Sequence, residues 1–171
     1  WIQNVLYKKK PVPVKGFAEL LLGVAGKYSL SESDPALSLF QWAAEPADPP
    51  VYARGIIAEP AGGKPRHILM LQGIVDHYIM PPIANATSLS LGLDFAGDAL
   101  DAVTPEIADL PHLGDMLQFS GRSQITLPAS GNVTASGKPA TTAVVVQHQE
   151  DGVEDGHEVV FQTEAPKHQY R

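Results

Sequence analysis

Two apolar runs constrain this chain more than anything else in it. The first is Ile68-Leu69-Met70-Leu71-Gln72, preceded by Lys64-Pro65-Arg66-His67 and closed by Gly73. The second is Thr141-Thr142-Ala143-Val144-Val145-Val146-Gln147-His148, β-branched and apolar through most of its length. A strand with one wet face alternates polar and apolar residues. A near-continuous apolar run instead suits a strand covered on both faces, as in a parallel sheet flanked by helices. After the first run, Pro81-Pro82 opens a helix with Ile83, Ala86, Leu89 and Leu93 at helical spacing. Strand, loop and helix in that order make half of a βαβ unit, so the fold class is α/β. Ile68–Gln72 and Val144–His148 are expected to be neighbouring parallel strands joined by a long crossover.

The rest divides around these runs. Residues 1–60 read as a helical segment. Lys15 to Ala25 is an apolar helix ending near Gly26, and Asp34-Pro35 caps and opens a second helix over Ala36 to Ala44. Pro46, Pro49 and Pro50 end it. Residues 61–171 form the sheet-bearing core, with a loop-rich excursion at 94–140. Gln149 to Gly156 is a polar loop, Glu158 to Gln162 is short and apolar-centred, and Ala165 to Arg171 begins a last helix. The whole reads as a single, partial domain. The start Trp1-Ile2-Gln3-Asn4 has no initiator Met and no signal-peptide pattern, so we read the chain as beginning partway through a longer protein.

Composition excludes several classes. The formal charge of −7 argues against nucleic acid, whose phosphates want a basic face. The one basic run, Lys8 to Lys10, reads as solvated surface. With no cysteine there is no disulfide, no thiolate metal site and no cysteine nucleophile. No apolar run reaches the length of a membrane span. The compartment stays open, secretion included.

Two residues stand where chemistry collects. Asp76 lies just past the C-terminal end of the first run, the sheet edge at which open α/β sheets place ligands and catalytic groups. The plainer reading is a turn or helix-capping aspartate. His157 follows the second run in Asp155-Gly156-His157-Glu158, on a loop able to reach the same edge. The plainer reading there is a surface histidine.

Acid after one strand and histidine after the next is the order found in the later part of the α/β hydrolases, and the chain resembles that superfamily, in particular bacterial serine esterases and lipases. Leu69-Met70-Leu71-Gln72-Gly73-Ile74-Val75-Asp76, followed by Pro81-Pro82, resembles the acid-bearing loop after the penultimate strand. Asp155-Gly156-His157-Glu158-Val159-Val160-Phe161 resembles the terminal histidine loop, and Asp34 to Gln41 with Asp48 to Ala53 is similar to the cap-side region. The resemblance implies an incomplete α/β-hydrolase fold: the last strands of a mainly parallel sheet plus cap-region helices. It implies Asp76 and His157 as triad acid and base, a small-molecule ester as substrate, and no metal or organic cofactor. Phe17 to Val24 and the group Leu37, Leu39, Phe40 and Trp42 then read as a cap walling an ester pocket. Without the resemblance they read as core.

The nucleophile's Gly-x-Ser-x-Gly is absent from these residues. In the family it precedes the acid, so it is expected in a missing N-terminal part of the same protein, with the oxyanion hole. Gly121-Arg122-Ser123-Gln124-Ile125 lacks the second glycine and falls between acid and histidine, so Ser123 reads as a loop serine. His148, Glu150, Asp151, Asp155 and His157 could be drawn as a metal cluster but read as a solvated acidic loop. His77 reads as a pocket or surface neighbour of Asp76, and His67 and His112 as structural or surface residues. Asn85-Ala86-Thr87 and Asn132-Val133-Thr134 fit the glycosylation pattern, which is common by chance. The competing function is a non-catalytic α/β binding module that lacks the nucleophile.

Overall fold

The computed structural model describes residues 1–134, 140–150 and 155–170. Four parallel strands form one sheet: β1 (Ile68–Ile74), β2 (Asp94–Ala96), β3 (Gln124–Ile125) and β4 (Ala143–Gln149). Their spatial order is β1-β4-β2-β3. The two apolar runs are neighbours, paired in parallel from Ile68 with Ala143 to Ile74 with Gln149. The stretch between them is loop-rich, but it also contributes β2 and β3, which extend the sheet beyond β4.

Side chains of β4 alternate between two apolar layers. Ala143 and Val145 join Phe95, Leu93, Leu113 and Leu117 on one face. Val144 and Val146 join Ala96 on the other, with Leu71 and Ile125 packed against them. Both faces are covered, which is why the run needs no polar alternation.

Helices α1 (Ile2–Tyr7), α2 (Val14–Leu21), α3 (Pro35–Ala44) and the single turn α4 (Pro49–Tyr52) occupy the first part of the chain. The Asp34 side chain accepts the Ala36 N–H at 2.9 Å and Pro35 takes the first helical position, as the sequence suggests. Helix α2 ends at Leu21, earlier than its apolar run, because the chain turns through left-handed Gly23. Val5, Leu30 and Leu37 make a small core there. Phe17, Leu20, Leu39 and Trp42 do not join it, and Trp42 is 73% exposed. The apolar residues of α2 and α3 lie on more than one side of each helix, and only one side meets a neighbour.

Helix α5 (Pro81–Leu91) opens on two prolines and closes on Gly92 at φ 70°, so Leu93 lies beyond it. The turns α6 (Leu113–Met116) and α7 (Val159–Gln162) and helix α8 (Glu164–Tyr170) complete the order.

A chain of buried amides crosses from the sheet to α5. Gln147 donates to Gln72 at 3.2 Å, and Gln72 donates to Asn85 at 3.2 Å. The Asp101 N–H donates to Gln147 at 3.0 Å. An amide left unpaired here would bear the desolvation of a dry core, so the network holds β1, β4, α5 and the 97–113 loop in one arrangement. Phe95 is fully buried at 0% exposure. Phe95→Ala is expected to destabilise the fold by about 3–5 kcal/mol, read as a lower urea midpoint at unchanged slope; an unchanged midpoint would contradict this core.

Candidate active site

The site begins where β1 and β4 end. Past Ile74 the chain turns at Asp76, whose Oδ1 accepts the N–H groups of Tyr78 at 2.7 Å and Ile79 at 2.8 Å. Such a side-chain-closed turn fixes the carboxylate rigidly. It leaves Oδ2 free, and Oδ2 lies 3.0 Å from His157 Nδ1. The turn aspartate and the histidine's partner are thus one residue, one oxygen for each. A carboxylate only accepts, so Nδ1 is the donor, and in the neutral imidazole Nε2 carries the lone pair.

His157 stacks against Tyr78, with ring centroids 4.7 Å apart and planes 30° from parallel. Its side chain is 44% exposed. Among the described residues nothing hydrogen-bonds to Nε2, so the basic nitrogen is open. A cavity of about 240 Å³ is lined by Gln72, Gly73, Asp76, Ile79, Gly156 and His157, among others.

The two loops meet backbone to backbone. Gly156 N–H donates to Val75 O at 2.7 Å. A Cβ on Gly156 would stand 2.5 Å from the Val75 carbonyl carbon, and one on Gly73 would stand 1.8 Å from Gly156 O. Only glycine fits at either place.

A second aspartate–histidine pair crosses between the same loops in the opposite sense. Asp155 Oδ2 lies 3.0 Å from His77 Nδ1 and accepts Lys10 Nζ at 2.7 Å. Asp155 Oδ1 accepts the backbone N–H of His77 at 3.0 Å and of His157 at 3.2 Å. His77 Nε2 lies 3.1 Å from Glu106 Oε1. Burial raises the pKa of Asp155, but the Lys10 ammonium and the donors from His77 and His157 outweigh it and hold the carboxyl at about 2. These residues correct two sequence readings. Asp155 is buried at 3% exposure, so it is no solvated loop acid. The Lys8–Lys10 run is no free surface either: Lys8 Nζ donates to Tyr78 O at 3.1 Å, and the N–H groups of Lys9 and Lys10 donate to His77 O at 3.0 Å each. Tyr78, Lys8 and Lys10 were invisible as site residues, since their partners are far away in sequence. The parallel between Asp76-His77 and Asp155-Gly156-His157 was the one signal for the second pair.

The remaining candidates fall elsewhere. Ser123 precedes β3, at the opposite edge of the sheet from β1. His67 accepts the Thr142 N–H at 3.0 Å where β1 and β4 begin. His112 lies 3.6 Å from Asp115. His148 is buried, which lowers its pKa, and contacts Gln169 at 3.1 Å. Among the described residues no three His, Asp or Glu side chains gather as metal ligands, and Asp151 lies outside those residues. Asn85 is buried in α5, and Asn132 is bonded to Asp94 and Ala143. Among the described residues no helix is long and apolar enough to cross a membrane. Comparison with protein-family profiles, curated proteins and solved structures found no match.

Gly156→Ala is expected to push the loops apart and destabilise by about 1–3 kcal/mol in urea unfolding. Gly114→Ala is the control, since its Cβ would meet nothing within 4 Å. Equal behaviour of the two variants would contradict the close crossing. Asp155 makes a second prediction. Its pKa of about 2 in the fold lies below the ordinary 3.8, so the stability it contributes is present above pH 4 and is lost as pH falls through 2. Asp155→Asn should flatten the acid limb of stability between those values; an unchanged limb contradicts the pairing.

Proposed function

We propose that this chain supplies the acid and the histidine of a serine hydrolase that cleaves carboxylic esters, with the nucleophilic serine outside these residues. The observation that carries the reading is the 3.0 Å contact between Asp76 and His157 Nδ1, which leaves Nε2 without a partner among the described residues. The resemblance of the two loops to those of the α/β hydrolases points to the same chemistry. In that reaction the serine hydroxyl attacks the ester carbonyl while His157 Nε2 takes its proton. Collapse of the tetrahedral adduct expels the alkoxide, which leaves as the alcohol with that proton. Water then attacks the acyl-enzyme, His157 again accepts and returns a proton, and the carboxylic acid departs. Asp76 keeps the ring in the required tautomer and stabilises the imidazolium.

Two further features support the reading. Strand β1 lies at the edge of the sheet, where a strand from another part of the protein can pair. Ile79, beside the pair, also lines a cavity of about 510 Å³ with Ile2, Ile83, Pro49 and Pro50 on an apolar side and Gln41 and Asp48 on a polar one, and the apolar side suits the hydrocarbon part of an ester.

The test is hydrolysis of short- and medium-chain nitrophenyl esters by the full-length protein and by residues 1–171 alone. The full-length protein should turn over and the isolated chain should not. His157→Ala should lower turnover by roughly 10⁴-fold, and Asp76→Asn comparably or less. Full turnover in His157→Ala would end the hydrolase reading, and turnover by residues 1–171 alone would place the nucleophile within them.

A further inference from the structure

We infer that Asp155 is a positioning residue for His157, acting through the backbone that carries the imidazole. The inference rests on the hydrolase reading for its kinetic consequence, but not for its geometry.

Asp155 joins three separated segments at once. Its Oδ1 accepts from the His157 N–H at 3.2 Å and from the His77 N–H at 3.0 Å. One oxygen therefore spans the loop that holds the base and the loop that holds its acid. Its Oδ2 takes the Lys10 ammonium at 2.7 Å and lies 3.0 Å from His77 Nδ1. Among the described residues, the charged and titratable groups facing it are thus Lys10 and His77, with Glu106 on the far nitrogen of His77 at 3.1 Å. Lys8 and Lys10 also stand 6.0 and 5.9 Å from the Tyr78 ring that stacks on His157. The side chain of Asp155 is only 4% exposed, so these bonds are shielded from water.

The geometry says why one carboxylate carries so much. His157 projects from a short turn, Gly156–Glu158, whose side-chain cap is Asp155. The imidazole is 44% exposed and has, among the described residues, one hydrogen bond, to Asp76. Its χ angles are restrained by that bond and by Tyr78; the position of its Cα is restrained by Asp155 and by the Gly156 to Val75 bond. Without Asp155 the turn loses its cap and its tie to His77, and the ring drifts from Asp76. Misplacement by about 1 Å is enough to cost ~10²-fold in rate.

The experiment uses the full-length protein, with Asp155→Ala, Asp155→Asn and Lys10→Met beside the wild type. Two readouts are taken well below each variant's melting temperature. The first is the NMR signal of the His157 Nδ1 proton; the second is kcat and KM on a nitrophenyl ester. In the wild type the proton should be visible downfield. In Asp155→Ala it should broaden into water and kcat should fall by about 10²-fold, with KM changed less than about 3-fold. Asp155→Asn keeps an oxygen for the two backbone N–H groups and should recover part of both. Lys10→Met, which removes only the cation, should fall between. If Asp155→Ala lowers the melting temperature yet keeps the proton signal and kcat, the role is purely structural and the inference is overturned. If the full-length wild type turns over no ester, the hydrolase reading fails, and the proton signal alone decides for or against the positioning role.

Discussion

The site depends on how closely two stretches of backbone can approach. Gly156 sits against Val75 and Asp76, and its N–H donates to Val75 O at 2.7 Å. Gly73 sits against Gly156 O so closely that any Cβ would overlap it. With both glycines in place, the loops after β1 and β4 run side by side, and each brings its aspartate to the other's histidine. Asp76 meets His157, and Asp155 meets His77. A residue with a side chain at either crossing point would part both pairs.

The crossing in turn rests on strand order. β1 and β4 are adjacent and parallel, so their C-terminal ends open at one edge of the sheet. The chain reaches that arrangement by an indirect route. It leaves β1, builds β2 and β3, and returns to insert β4 between β1 and β2. Gln72 and Gln147, paired in register, bond each other inside the core and tie β1 and β4 together just below the loops. A polar pair in a dry layer favours one register over its neighbours, because a slip would leave both amides unsatisfied.

Much of this was legible in the sequence, for identifiable reasons. Strand β4 announced itself because burial on both faces removes the polar alternation that makes other strands ambiguous; β1 carries a similar apolar run although it is an edge strand with Leu69 39% exposed. The starts of α3 and α5 were marked by Asp34-Pro35 and by Pro81-Pro82. Strands β2 and β3 were not foreseen as part of the sheet, since three and two residues are too few to show any period. The exposure of Phe17, Leu20, Leu39 and Trp42 was not legible either, because hydropathy says which residues seek cover and not which find it. At the site, position after a strand pointed to Asp76 and His157, which lie 3.0 Å apart in the structure. It was silent on Tyr78 and Lys10, whose roles come from contacts across the fold, and it misjudged Asp155, which looked like one acid among several on a polar loop.

The proposed chemistry rests on one ring nitrogen. Asp76 and the turn it closes engage Nδ1, Tyr78 covers one ring face, and Nε2 is left with its lone pair and no partner among the described residues. A base held this way is suited to take a proton from a hydroxyl brought to it. The most direct measurement is labelling of the full-length protein with a fluorophosphonate, followed by mass spectrometry of its peptides. A single phosphonylated serine outside residues 1–171, lost in His157→Ala, is the predicted result. A serine labelled equally well without His157, or no labelled serine at all in a folded preparation, would contradict the account.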